Sequence, residues 1–425
     1  DRIRGMLLRP AQFDGNDETN NPWCLIDPSK SSMTPAAVPG YSLSLTAEAR
    51  ELREITKQLQ ASNIACILGP EISIDVFHTA GSWQNWCPGG TFGERRHAHR
   101  LIAAQPGKGL CGNGVNVFIV DRGLSRTYVE KLRGVFGTLE DLNLQCRAPP
   151  LPAQGKFDDI YTKQPMEHGN MIVRNILALA PKAKIFDVPL IPRRIDDVAD
   201  FAERAVAALC ALRCALEDVS GPCIIVNAWG VFDRFDEQEW GSYTAASCHP
   251  LNHQIAELAT KHDVIFSAGN SGQFCPDTRS GPYDRGPGNS ILGANASPHV
   301  LSVGATRTDA LWIGASSQGP APSGMLESPL DAVNEKPDVC APSWFREDDD
   351  CHIANTGTSA ACGVAAGVVA ALRETYPDVS PSDMRRALRG GARKFLHDDW
   401  NGRTGQGVIN VAGTIDQLDA ISATS

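Results

Sequence analysis

Beyond about Trp83 the apolar residues of this chain fall into short runs separated by longer segments of helical period. Val115–Val120, Ala183–Leu190, Cys223–Asn227, Val264–Ala268 and Val300–Ala305 are runs of the strand type. Between them Gly169–Ala180, stopped by Pro181, Ile195–Leu216 and Pro250–His262 read as helices, and another helix begins near Ser359. Strands that are apolar at nearly every position are covered on both faces, which predicts a parallel sheet with helices above and below. The expected fold class is α/β, three layers around a doubly wound, mostly parallel sheet. Ser380, Pro381 and Asp383 supply a cap, a first-turn proline and a capping acid to a late helix that Gly390 and Gly391 end.

The first eighty or so residues follow a different pattern. Residues 1–45 are rich in Pro, Asn, Asp and Ser and show weak periodicity. Thr46–Ala61 then carries Leu52, Ile55 and Leu59 among charges, an amphipathic helix, followed by a stop and short strand over Asn63–Gly69. Ile72, Ile74 and Val76 alternate as a second strand. Residues 1–84 are therefore expected to form a small N-terminal α/β extension, and residues 85–425 the main domain.

Composition narrows the function. With 39 Lys and Arg against 49 Asp and Glu, the chain carries a net charge of −10, which argues against a partner bound through a phosphate backbone. The longest nearly unbroken apolar stretch, Ala360–Leu372, is far shorter than the roughly 20 residues a membrane span needs. The 13 cysteines are odd in number, without a CxxC pair or repeated spacing, so neither a disulfide framework nor a zinc site is expected. Cys210 and Cys214 share a helix face, but two sulfurs do not complete a tetrahedral site. Most of the thiols should be buried, and the mild preference is for a reducing, cytoplasmic compartment; Asp1 in place of Met leaves secretion open.

In a doubly wound sheet, chemistry gathers outside the carboxyl ends of strands. Val115–Val120 runs into Asp121-Arg122-Gly123, which reads equally as a turn. His168 opens a helix, and Asn270 ends a strand in Ser267-Ala268-Gly269-Asn270, where it serves a turn or supplies an oxyanion donor. Ser359 lies at the start of a helix of small residues, where it is either a cap or a hydroxyl in the field of the helix terminus.

Together, in the order Asp121, His168, Asn270, Ser359, these residues resemble the subtilases, the subtilisin-like serine peptidases. VFIVDRG at 117–123, HGNMIVRNILALAPKAKIFDVPL at 168–190, VNAWG at 226–230, SAGNSG at 267–272, VLSVGAT at 300–306, KPDVCAP at 336–342 and GTS at 357–359 each resemble a family segment. Gly405–Asn410 resembles the closing one, so the likeness spans roughly residues 85–420. Arg122 replaces the usual Thr or Ser, Asn170 a Thr, Arg174 a small Gly, Ala360 a Met and Gly363 a Pro. These departures bear on packing and specificity, because none removes the nucleophile, the base or an oxyanion donor.

The resemblance implies a serine endopeptidase in which Asp121 orients His168, His168 takes the proton of Ser359 and Asn270 helps to hold the oxyanion. Ala228, Trp229 and Gly230 on one side, and Ala268 and Gly269 on the other, would wall a cleft in which a peptide or protein substrate pairs as an added strand. No cofactor is required. Structural calcium, common in the family, would draw on loop carboxylates such as Asp277 and Asp284. The acids Asp233, Asp236, Glu237 and Glu239, with Glu347 to Asp350 added, would favour basic substrate residues, unless they are solvated loops. The extension would be a permanent accessory or a pro-domain in contact with the catalytic domain. A dedicated peptide-maturation protease or transpeptidase, and a silent peptide-binding pseudoprotease, are the competing functions.

Overall fold

The structure, a computed structural model, describes residues 2–8, 31–35, 41–48, 54, 57, 67–70, 75–76, 91–105, 110–138, 167–191, 201–234, 237, 243–326, 332–395 and 399–423. The main sheet has seven parallel strands. They are β6 (Asn116–Asp121), β7 (Val135–Thr138), β8 (Lys184–Pro189), β9 (Cys223–Asn227), β11 (Asp263–Ser267), β12 (Leu301–Thr306) and β13 (Val339–Pro342). Their order is β13-β12-β11-β9-β6-β8-β7. The chain leaves β6 towards one edge and returns to its other side at β9, so the crevice of a doubly wound sheet opens at the carboxyl ends of β6 and β9.

Alternation within each strand divides the core. Val117, Ile119, Ile185, Ile224 and Val226 point to one face, which is covered by helices α3 (His168–Leu177) and α6 (Gly357–Arg373). Phe118, Val120, Phe186, Val188 and Ile225 point to the other, covered by α4 (Phe201–Glu217) and α5 (Pro250–Lys261). Both faces are dry, so every strand can be apolar throughout, as the runs predict. Short helices α1 (Arg95–Leu101) and α2 (Arg126–Lys131) and the late helices α7 (Pro381–Gly390) and α8 (Val411–Ser422) complete the layers. Ser380 caps α7 through Asp383 N, as its sequence predicts. A small antiparallel pair, β14 (Phe345–Arg346) with β15 (Ala354–Asn355), leads into α6.

The N-terminal part departs from expectation. Strands β1 (Arg2–Leu8), β2 (Ser31–Pro35), β3 (Tyr41–Glu48) and β4 (Ile67–Pro70) form an antiparallel sheet ordered β2-β3-β1-β4. Residues 1–45, whose weak periodicity predicts no element, supply β1, β2 and most of β3. The amphipathic helix expected over 46–61 cannot start at Thr46, because strand β3 continues to Glu48 in register with Arg2. Glu54 and Lys57 are helical, and the other residues of that helix lie outside the described ones. β3 contacts α4, and β1 and β4 contact α5, so this sheet rests on the same helix layer that covers the second core face. Beyond it, β5 (Asp75–Val76) pairs antiparallel with β10 (Trp229–Gly230), Trp229 opposite Val76 and Gly230 opposite Asp75. Residues 75–76 thus meet residues 229–230 through backbone.

Candidate active site

Asp121 ends β6, and the chain must turn sharply to clear the sheet; Gly123, at φ +110°, takes the left-handed conformation this requires. Arg122 N donates to Asp121 Oδ1 at 2.8 Å. The turn meets the first residues of α3, where a Cβ on Gly169 would lie 2.6 Å from Leu124 Cδ2 and 2.9 Å from Gly123 O. Only a glycine after His168 therefore lets the helix reach the Asp121 turn. Asn170 Oδ1 accepts from Ser125 N at 3.1 Å and ties the two segments again.

This approach places His168 Nδ1 2.8 Å from Asp121 Oδ1 and 2.7 Å from Oδ2, with both side chains excluded from solvent. A carboxylate in that position selects the tautomer with the proton on Nδ1 and presents Nε2 as a base. Ser359 stands in the first turn of α6, whose N-cap is Thr356, and its Oγ lies 3.4 Å from Ala228 O. The N-terminus of a long helix favours negative charge developing beside it. Asn270 Oδ1 accepts from Thr358 N and Thr358 Oγ1, both at 3.0 Å, and Thr358 Oγ1 accepts from Gly269 N at 3.1 Å. These bonds fix the amide oxygen of Asn270 on the first turn of α6, which carries Ser359.

Ala228, Trp229, Gly230, Ala268 and Gly269 all lie buried at the ends of β9 and β11. The Trp229 ring points into the second core, edge-on to Phe201 and Phe266, so this wall offers backbone rather than an indole. Asn295 Nδ2 donates to Trp229 O at 3.0 Å and Ser267 O at 2.7 Å, which joins the two walls. Nothing in the sequence around Asn295 announces that role.

Several of the carboxylates singled out for other roles have partners of their own. Asp277 takes the Arg279 guanidinium at 2.9 Å on each of its two oxygens, and Asp284 is paired with Arg234. Carboxylates already neutralised by arginine do not fit a calcium ion, and no cluster of three or more His, Cys, Asp or Glu stands together among the described residues. Glu237 accepts from the backbone and hydroxyl of Thr244, while Asp236 and Glu239 lie outside the described residues. Glu347 is not a loop tip but a buried partner of Arg95 and Arg174.

A further carboxylate emerges at the floor of the site. Asp187, on β8, accepts Leu124 N on Oδ2 at 3.2 Å, while its buried Oδ1 finds no partner among the described residues. Burial pushes its carboxyl up to about 7; the Leu124 bond pulls the other way, and the nearby charge of Asp121 adds to the rise. Of the nine described cysteines five are buried, among them Cys362, whose thiol burial pushes well up.

The family model described as Subtilase family matches residues 175–407. Among solved structures, the chain is similar to fervidolysin from Fervidobacterium pennivorans, described as a keratinolytic enzyme related to subtilisin. That match has 14% identity and a TM-score of 0.62, and it covers 98% of this chain and 61% of fervidolysin. The serine protease of Aeromonas sobria is similar at 16% identity and a TM-score of 0.50 over 73% of this chain and 61% of that one. The chain thus spans about three fifths of the length of these two proteins. A comparison with curated protein sequences gives no match.

Proposed function

The chain belongs to the subtilase family, whose model covers more than half of its 425 residues, and on that premise we propose that it is a serine endopeptidase using Asp121, His168 and Ser359. The observation that carries this reading is the solvent-excluded Asp121–His168 pair, with both carboxylate oxygens within 2.8 Å of Nδ1. Ser359 Oγ attacks the peptide carbonyl as His168 Nε2 takes its proton, and the imidazolium that forms faces the Asp121 carboxylate. Asn270 and the Ser359 N–H hold the oxyanion, one such donor being worth about 3 kcal/mol. His168 then protonates the leaving amine, and water releases the acyl group by the reverse route. Transfer to an amine instead of water would use the same acyl-enzyme, so a maturation protease or transpeptidase shares every step up to that point.

A substrate would bind extended against the backbone of Trp229 and Gly230. That edge is already paired with Asp75–Val76, and Ser359 has no exposed surface. These two observations favour residues 1–84 as a cover over the cleft of the 85–425 catalytic part rather than a remote accessory. Treating the full chain with a fluorophosphonate probe tests both readings. Labelling is expected to rise as a cut near residues 78–95 appears by mass spectrometry, and Ser359→Ala should show neither. A wild type that stays unlabelled after limited proteolysis has removed the extension overturns the peptidase reading and supports the binding module.

A further inference from the structure

Arg174 follows His168 by six residues on α3 and points away from the catalytic pair into a polar cluster sealed inside the molecule. Its Nε donates to Glu347 Oε1 at 2.9 Å, its Nη2 to Asn355 Oδ1 at 2.9 Å, and its Nη1 to the Tyr128 hydroxyl at 3.0 Å. Glu347 also takes both nitrogens of a fork from Arg95, Nε and Nη2, each at 2.6 Å, and the amide of Asn355 at 2.7 Å. Arg95 reaches back to α3 through Asn175 Oδ1 at 3.0 Å. The side chains of Arg95, Arg174 and Glu347 are 10%, 6% and 10% exposed. One carboxylate thus fastens α1, the helix of His168, and strand β15, which ends four residues before Ser359.

The contact between α3 and α6 explains why such a fastening matters. A Cβ on Gly363 would sit 3.1 Å from Ile172 O and Asn175 Cβ, and one on Gly367 3.1 Å from Asn175 O and Ile176 Cα. At these glycines α6 therefore contributes no side chain to interlock with α3 and to resist sliding or rotation. Hydrogen bonds in a fixed fork supply the missing constraint, because the guanidinium is planar and its bonds are directional. Stability alone does not call for this arrangement, since apolar residues of similar volume commonly serve a buried site as well or better.

We propose that Glu347 is a positioning residue of the active site, a buried anion that sets the axial position and rotation of the His168 helix against the strand feeding Ser359, acting through Arg174 and Asn355. The proposal rests on the peptidase reading only for its effect on rate. Its test uses Glu347→Gln and Arg174→Met in the full chain, beside Leu212→Ala, a core truncation on α4 at the opposite face of the sheet, with all measurements made well below each melting temperature. The first readout is the downfield imidazole proton of His168 and its pH midpoint by NMR, which needs no activity. In the two network variants the resonance is expected to move or broaden, with the midpoint displaced by about half a pH unit or more, while Leu212→Ala keeps the wild-type signal. The second readout, fluorophosphonate labelling, should slow about tenfold in the network variants alone. A His168 signal and midpoint unchanged in both network variants overturns the proposal, whatever their melting temperatures. A wild type that does not label even after limited proteolysis leaves the NMR comparison to decide it and counts against the peptidase reading instead.

Discussion

Two carboxylates, Glu347 buried and Asp187 half-buried, flank the elements of the candidate site, and the chain treats them in opposite ways. Burial raises the affinity of Glu347 for a proton, but hydrogen bonds and charge from Arg95, with Arg174 and Asn355 in support, outweigh it and bring the carboxyl down to about 2. Among the described residues Asp187 has one backbone N–H and no cation beside it, so burial prevails and its carboxyl stands at about 7. Removal from water is common to both sites; what decides the charge is the partner supplied. The region joining α1, α3 and β15 is held by an ionised group, whereas the floor beneath the Asp121 turn holds a carboxyl poised to be neutral below neutrality.

The largest effect should come from taking the anion out of the first region. Glu347→Ala leaves two guanidinium groups facing each other without a counter-charge, a loss of about 3–5 kcal/mol by chemical denaturation at pH 7. Because the folded carboxyl lies below its unfolded value, its stabilisation is present above about pH 4.5 and is lost as pH falls towards 2. Glu347→Gln should flatten that acid limb, and an unchanged limb would mean the arginines are not its main partners.

Asp187→Asn sharpens the other side of the comparison. The folded state holds a proton that the unfolded chain has released between about pH 4 and 7, so this group makes wild-type stability decline as pH rises through that window. Asparagine keeps an oxygen for Leu124 N and cannot ionise. The expected result is a stability profile lacking that decline, so that the variant gains on the wild type by a few kcal/mol between pH 5 and 8. Parallel profiles for the two proteins would place Asp187 among ordinary ionised carboxylates.

The smallest effect tests the uncharged seam between α3 and α6. Gly363→Ala adds one methyl against Ile172 O and Asn175, which must yield by a few tenths of an ångström, at a cost of about 1–2 kcal/mol. That loss should be the same at pH 4 and pH 8, because no titrating group is touched. A pH-dependent loss would show the seam and the Glu347 cluster acting as one unit.

Much of the main sheet was legible along the chain. Cys223–Asn227 matches β9 end to end, and the other four runs lie within a residue or so of their strands, because dry strands between helices are recognisable without knowing their neighbours. β7 and β13, short and lying at the sheet edges, carry too few apolar positions to stand out. The first 48 residues misled for a different reason. Their strands are specified by pairing, Arg2 opposite Glu48 and Ser31 opposite Leu45, and such cross-strand support has no local period to read.

The same division runs through the site. Asp121, His168, Asn270 and Ser359 were readable as candidates because each sits in a short motif at an element's end, where turn chemistry and strand termination leave a local trace. Arg174 was legible only as an oddity in its helix, and Glu347 looked like the start of an acidic loop because Asp348, Asp349 and Asp350 follow it. Their bond joins positions 173 residues apart, and the contact of Arg95 with Glu347 spans 252. Sequence by itself therefore determined the layered α/β architecture and the order of the chemical groups, since both are written in local periodicity and local motifs. Which carboxylates are ionised, what holds the His168 helix in place and what pairs with Trp229 and Gly230 were decided only by the tertiary structure, because charge and pairing in a folded interior depend on partners that the fold brings from elsewhere in the chain.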